Sequence, residues 1–111
     1  MEKVDHIAVL VENLEVSKKW YEEMLGAKVI FTDHKHIRMK LQNVTLAIID
    51  KKHYKHPHFA VTVHSFDDLP SNIGDIIHHR DGTTGCYVKD PDDNMVEFIY
   101  YSDECKEKMK I

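Results

Sequence analysis

Two histidines and a glutamate, residue types that hold a divalent metal, fall within an internal echo of this sequence. His6 opens "HIAVLV", residues 6–11, and His58 opens "HFAVTV", residues 58–63. The stretches are 52 positions apart, and the histidine, the alanine and two valines coincide. Further along, Leu14 falls over Phe66 and Glu15 over Asp67. A second echo sets "NVTLAI", residues 43–48, over "NMVEFI", residues 94–99, and brings Glu97 opposite Leu46. A period near 50 residues is the mark of a duplicated supersecondary unit.

Strand alternation gives these residues a common face. His6 goes with Ala8 and Leu10. His58 goes with Ala60, Thr62 and His64. Glu97 goes with Met95, Ile99 and Tyr101. The opposite faces carry Ile7, Val9 and Val11 in one repeat and Phe59, Val61 and Val63 in the other. Those faces are expected under helices, with Val96 and Phe98 buried beside them. If the halves pair about a two-fold axis, His6, His58 and Glu97 converge, and the small Ala8 and Ala60 leave room above them. Two imidazoles and one carboxylate form a facial set for a divalent ion, with positions left open for substrate or water. Imidazole nitrogens suit Zn, Fe, Ni, Co or Mn, and the carboxylate balances charge.

The elements that must position this set follow from pattern and punctuation. Residues 4–11 read as a strand. Asn13 is a good N-cap for a helix carrying Leu14, Ser17, Tyr21 and Met24 or Leu25 at helical spacing, and Gly26 ends it. "KVIFTD", "IRMKLQ" and "VTLAII" are strand-like runs separated by polar residues. "DKKHYKHP" links the halves. After "HFAVTV", Pro70 limits any second helix to about one turn. "DIIHHR", "GCYVKD" and "MVEFIYY" are strands, the last two joined by the turn "PDDN". The tail "SDECKEKMKI" is charged and frayed or briefly helical. The class is α+β: two βαβββ modules, about 1–50 and 57–101, in one domain of 1–111.

Composition narrows the function. The chain of 111 residues is 42% hydrophobic and 31% charged, as in a soluble globular domain. A net charge of −4, with lysines scattered among carboxylates, gives no basic stripe for nucleic acid. No apolar run reaches the roughly 20 residues of a membrane span, and the first residues have no cleavable-signal pattern. Cys86 and Cys105 form no CxxC pair, which points to a reducing cytoplasm.

The stretches "DHIAVLVENLEVSKKWYEEMLGAKV", "HPHFAVTVHSFDDL" and "YVKDPDDNMVEFIY" together resemble the vicinal oxygen chelate superfamily of glyoxalases, bleomycin-resistance proteins and extradiol dioxygenases. The resemblance covers both modules. It implies a U-shaped mixed sheet around a metal, and homodimers in which modules pair within or between chains. The family's ligand positions fall on His6, Leu46, His58 and Glu97. Leu46 departs from the carboxylate or amide that glyoxalases and epimerases of this kind carry. A three-ligand His, His, Glu set resembles the fosfomycin-resistance enzymes and extradiol dioxygenases instead. It leaves Glu97 as the obvious catalytic carboxylate for proton transfer. The implied function is a metal-dependent lyase or transferase acting on a small substrate held through vicinal oxygens. An Fe(II) dioxygenase and a non-catalytic drug- or metabolite-binding protein are the rivals.

Other groups carry weaker chemistry. His64 and Tyr101 share faces with the ligands and are the candidate substrate contacts. His34 and His36 read as solvated loop residues and His56 as part of a surface linker. His78 and His79 alternate, so at most one faces the site. Arg38 and Arg80, the two arginines, read as surface charges. "DPDDN" imitates an EF-hand start, but Met95 and Tyr101 stand where that loop needs glycine and glutamate, which excludes calcium. Asp93 replaces the glycine of the usual "DPDGN" turn and tolerates positive φ. Cys86 reads as a packed thiol.

Overall fold

A computed structural model describes residues 3–109. The chain divides into two compact units. One is His6–His58. The other joins the first five residues to the chain from Phe59 onward. The division thus falls on the two histidines themselves, and the start of the first strand goes with the second unit.

The unit of residues 6–58 is built from β1 (Val4–Val11) from His6 onward, α1 (Leu14–Leu25), β2 (Lys28–Thr32), β3 (His36–Lys40) and β4 (Thr45–Asp50). β1 runs parallel to β4, while β3 is antiparallel to both β4 and β2. The long connection from β1 to β4, through α1, β2 and β3, is what allows the parallel pairing, since a parallel partner needs a long crossover. The expected caps are present. Asn13 Oδ1 accepts from the Val16 amide at 3.0 Å, and Gly26 takes φ 67° with its N–H on the Glu22 carbonyl. Asn13→Ala is expected to cost about 1 kcal/mol in thermal or denaturant unfolding, the ordinary value of a lost N-cap.

The core lies between α1 and one sheet face. Ile37, Met39, Leu46 and Ile48 are buried with Ala27, and Val9, Val11, Leu14 and Tyr21 pack against them. The other face carries a second cluster of Ala8, Ala47 and Ile49, flanked by Leu10 and Tyr54. The expected division of β1 into a Val9/Val11 side and an Ala8/Leu10 side is therefore observed, but Ile7, expected to be covered with Val9 and Val11, is 42% exposed.

The second unit repeats the order: β5 (His58–Thr62), a 3₁₀ turn at Phe66–Asp68, β6 (Ile76–His78), β7 (Thr84–Lys89), β8 (Met95–Tyr100) and α2 (Asp103–Met109). β5 is parallel to β8, and β7 is antiparallel to β8 and β6. The two ends of this unit's chain meet where the Thr62 amide donates to the Lys3 carbonyl at 2.9 Å. Both units are α+β with mixed sheets.

Here the structure corrects the expected burial. The second crossover helix shrinks to one 3₁₀ turn, ended ahead of Pro70. With no long helix above it, Phe59 is 42% exposed, and Val96 and Phe98 are only half-buried. The well-buried face is the other one, with Ala60, Glu97, Ile99 and Tyr101.

The β7–β8 turn forms as expected, with Asp93 at φ 68°. Asp90 organises it, accepting from the amides of Asp92 and Asn94 and from the Asn94 side chain. Those bonds, the Asn94 side chain first, hold the Asp90 carboxyl below the usual aspartate range. The turn bonds are present above the ordinary aspartate range and are lost as pH falls through the lowered folded-state value. An NMR titration should give Asp90 a midpoint below that of a free aspartate, and Asn94→Ala should raise it.

Candidate metal centre

β1 and β5 present the two histidines. His6 is buried on β1, and His58 opens β5 half-buried. Their Nε2 atoms are 3.2 Å apart, and the rings meet nearly edge-on at 78°. Two nitrogens bound to one ion at about 2.0–2.1 Å, at angles between octahedral and tetrahedral, lie about 2.8–3.4 Å apart. The pair already has the spacing of two sites on one coordination sphere. It also forms a ring-to-ring hydrogen bond when the rings take complementary tautomers. In the β1–β4 register His6 pairs with Thr45, and Ala8 pairs with Ala47.

Glu97 lies on β8 and is 1% exposed. A buried carboxylate needs a partner to offset lost hydration. Its Oε2 is 2.5 Å from His79 Nε2. His79 follows β6 and is in turn set edge-on against the Tyr87 ring at 6.1 Å. Tyr87 is the register partner of Glu97. Gly85, two residues before Tyr87 on β7, makes the room, because a Cβ there would overlap both Glu97 Oε2 and His79 Nε2. The alternation of His78 and His79 allowed one inward histidine, and that residue is His79. His78 turns the other way, its Nδ1 3.4 Å from the Thr84 hydroxyl. The overlooked signal was Gly85, since a glycine within a strand marks a close approach.

The assignment of Leu46 as the counterpart of Glu97 is corrected. Leu46 packs in the helix-side core with Ile37, Met39 and Ile48. Ala8 pairs with Ala47, and Ala60 pairs with Glu97. Since Ala8 and Ala60 are repeat partners, the residue equivalent to Glu97 is Ala47. Shifting a strand by one residue moves every side chain to the other face. The position carries a methyl group and offers no ligand.

His64 stands exposed in the bend after β5. Tyr101 is 9% exposed, packs with Ala60 and Ile99, and donates its hydroxyl to the Asp5 carboxylate at 2.8 and 2.9 Å. His34 is exposed, as is His56. His36, expected in a loop, is the first residue of β3, its Nδ1 3.2 Å from Asp33 Oδ1. Arg80 is exposed and Arg38 half-buried on β3. Cys86 is fully buried, and burial, then the Asp75 charge, pushes its thiol up from the ordinary value. It is a packing residue, as expected.

The model of the Glyoxalase/Bleomycin resistance protein/Dioxygenase superfamily matches residues 3–73. Among solved structures, methylmalonyl-CoA epimerase from Mycobacterium tuberculosis superposes with a TM-score of 0.74 at 12% identity, covering 94% of this chain and 91% of that one. Methylmalonyl-CoA epimerase from Streptomyces coelicolor, an S115T variant in complex with 2-nitronate-propionyl-CoA, gives 0.71 at 13% identity, with 91% and 95% covered. A superfamily member from Vibrio splendidus 12B01 gives 0.66 at 12% identity, with 90% and 99% covered. At these identities the likeness speaks for the fold. A search of curated proteins finds no match. With the family model spanning well over half of its length, the chain belongs to the glyoxalase/bleomycin resistance protein/dioxygenase superfamily.

Proposed function

We propose that this chain, as a single glyoxalase-like domain, is a divalent-metal-dependent enzyme of lyase or transferase type. Its substrate is a small molecule held through two neighbouring oxygens. The observation that carries the reading is the His6–His58 pair, whose nitrogens stand at ligand spacing. The donor chemistry agrees: two imidazoles and one carboxylate, the side chains of His6, His58 and Glu97, are the facial set that suits one divalent ion. When bound, the ion supplies Lewis acidity toward the substrate's oxygens.

The chain's own residues do the rest. His6 and His58 give neutral nitrogens. Glu97 gives a carboxylate and is the catalytic acid–base group of the proposal, since its repeat counterpart Ala47 carries no titratable side chain. His64 and Tyr101 are the proposed substrate contacts. Tyr101 acts through its ring, because its hydroxyl is given to Asp5. The protein is proposed to work in the cytoplasm as a homodimer, which sedimentation at micromolar concentration checks. Among the described residues no helix is long and apolar enough to cross a membrane.

Reaction class is tested on the metal-loaded protein with three assays. Solvent deuterium entering a carbon next to a carbonyl, or thiol addition to an electrophile, supports the lyase or transferase reading. Oxygen uptake with catechols under Fe(II) replaces it with the dioxygenase. Tight binding of a small ligand that survives chelation, with no turnover, replaces it with a binding protein.

A further inference from the structure

We infer that His79 is the positioning residue for the Glu97 carboxylate: it takes Oε2, so that Glu97 would offer a bound ion its Oε1. The inference rests on the metal reading above and deepens it. Three observations carry it. His79 Nε2 and Glu97 Oε2 are 2.5 Å apart. Gly85 is the residue whose missing Cβ lets those two atoms meet. His79 is held in turn by the edge-on Tyr87 ring, which sits opposite Glu97 in the β7–β8 register. All four residues lie in one unit.

The chemistry is that of a donor behind a ligand. A carboxylate with both oxygens unfixed can swing between one-oxygen and two-oxygen binding. A hydrogen bond to one oxygen selects the first mode, orients the other oxygen and keeps a coordination position open. A buried carboxylate so fixed also loses less freedom when the ion arrives. In this chain the role matters more because Ala47, the repeat counterpart of Glu97, offers nothing to the ion. The site then relies on one carboxylate, and the quality of that one is set by His79.

The test is a calorimetric titration with Zn(II) or Co(II) of wild type, His79→Ala, His79→Gln and His58→Ala, each checked for a cooperative melt. The absorption spectrum of the Co(II) forms is recorded alongside. His79→Ala should bind about 10–100-fold more weakly than wild type and show a changed Co(II) spectrum. His79→Gln returns an N–H donor near the same place and should recover most of the affinity and the wild-type spectrum. If wild type binds no metal, the metal reading falls and this inference with it. If wild type binds, His58→Ala does not, and His79→Ala binds as wild type does, the metal reading stands and the role of His79 is overturned. Equal weakening in His79→Ala and His79→Gln, with melts like wild type, also overturns it, because a donor would then not be what matters.

Discussion

His58→Ala is expected to abolish stoichiometric metal binding while leaving the protein folded. The side chain is half-buried at the start of β5, so its removal opens no deep cavity. What is lost is one of two nitrogens held 3.2 Å apart. In the proposed site the remaining imidazole and Glu97 would be two ligands, with water in place of the third. The loss should therefore exceed the roughly 10–100-fold expected when only a residue supporting a ligand is removed. Deleting one of the histidines also breaks the ring-to-ring bond, but that bond is worth only about 0.5–1.5 kcal/mol net. Metal content and a melting curve measured on the same sample separate the two effects. A folded, metal-free His58→Ala is the expected outcome, and a folded variant with wild-type metal content goes against it.

Ile48→Ala is expected to be the most damaging change to stability that leaves the site untouched. Ile48 is fully buried on β4. It packs among Ala27, Ile37, Met39 and Leu46, with Val9 and Val11 against the cluster. Truncating a buried isoleucine costs about 2–5 kcal/mol, the spread reflecting how far the cavity collapses. A small domain has about 5–15 kcal/mol in all, so a large part of the stability goes. Denaturant unfolding of both proteins measures the difference. Val16→Ala is the control, since Val16 is 66% exposed on α1, and it should fall within about 0.5 kcal/mol of wild type. A small loss at Ile48 would mean that the α1-side cluster does not hold this unit together.

Much of the arrangement was legible in the residues because each signal had one physical cause. Asn13 and Gly26 bracket α1 because only such residues satisfy helix ends cheaply. Pro70 stops the second crossover after one turn because it cannot donate to a helix. Alternation along β1 separates Ala8 and Leu10 from Val9 and Val11, and so places His6 on the side away from α1. The echo of His6 in His58 was visible because each histidine heads the same pattern, with alanine two places on and valine at three and five.

What failed was register on β4. Leu46, Ala47, Ile48 and Ile49 are all buried, as in a strand covered on both faces. No polar residue alternates there to say which side faces which core, so a shift of one residue passed unnoticed. Only the pairing of Ala8 with Ala47 resolves it. Burial in the second half was misjudged for a related reason. "HFAVTV" has the pattern of a helix-covered strand, but the helix that would cover Phe59 is too short to do so. His79 was hidden because its partner, Glu97, is 18 positions away and meets it only through the β6–β7–β8 pairing.

The most direct measurement is the metal-to-protein ratio of wild-type chain purified without chelators, read by elemental mass spectrometry and repeated after reloading with Zn, Mn, Fe, Co or Ni. The account predicts close to one divalent ion per chain for at least one of these metals, and close to none for His58→Ala prepared in parallel. A wild-type chain that is folded, retains its cooperative melt and takes up none of the five would contradict it.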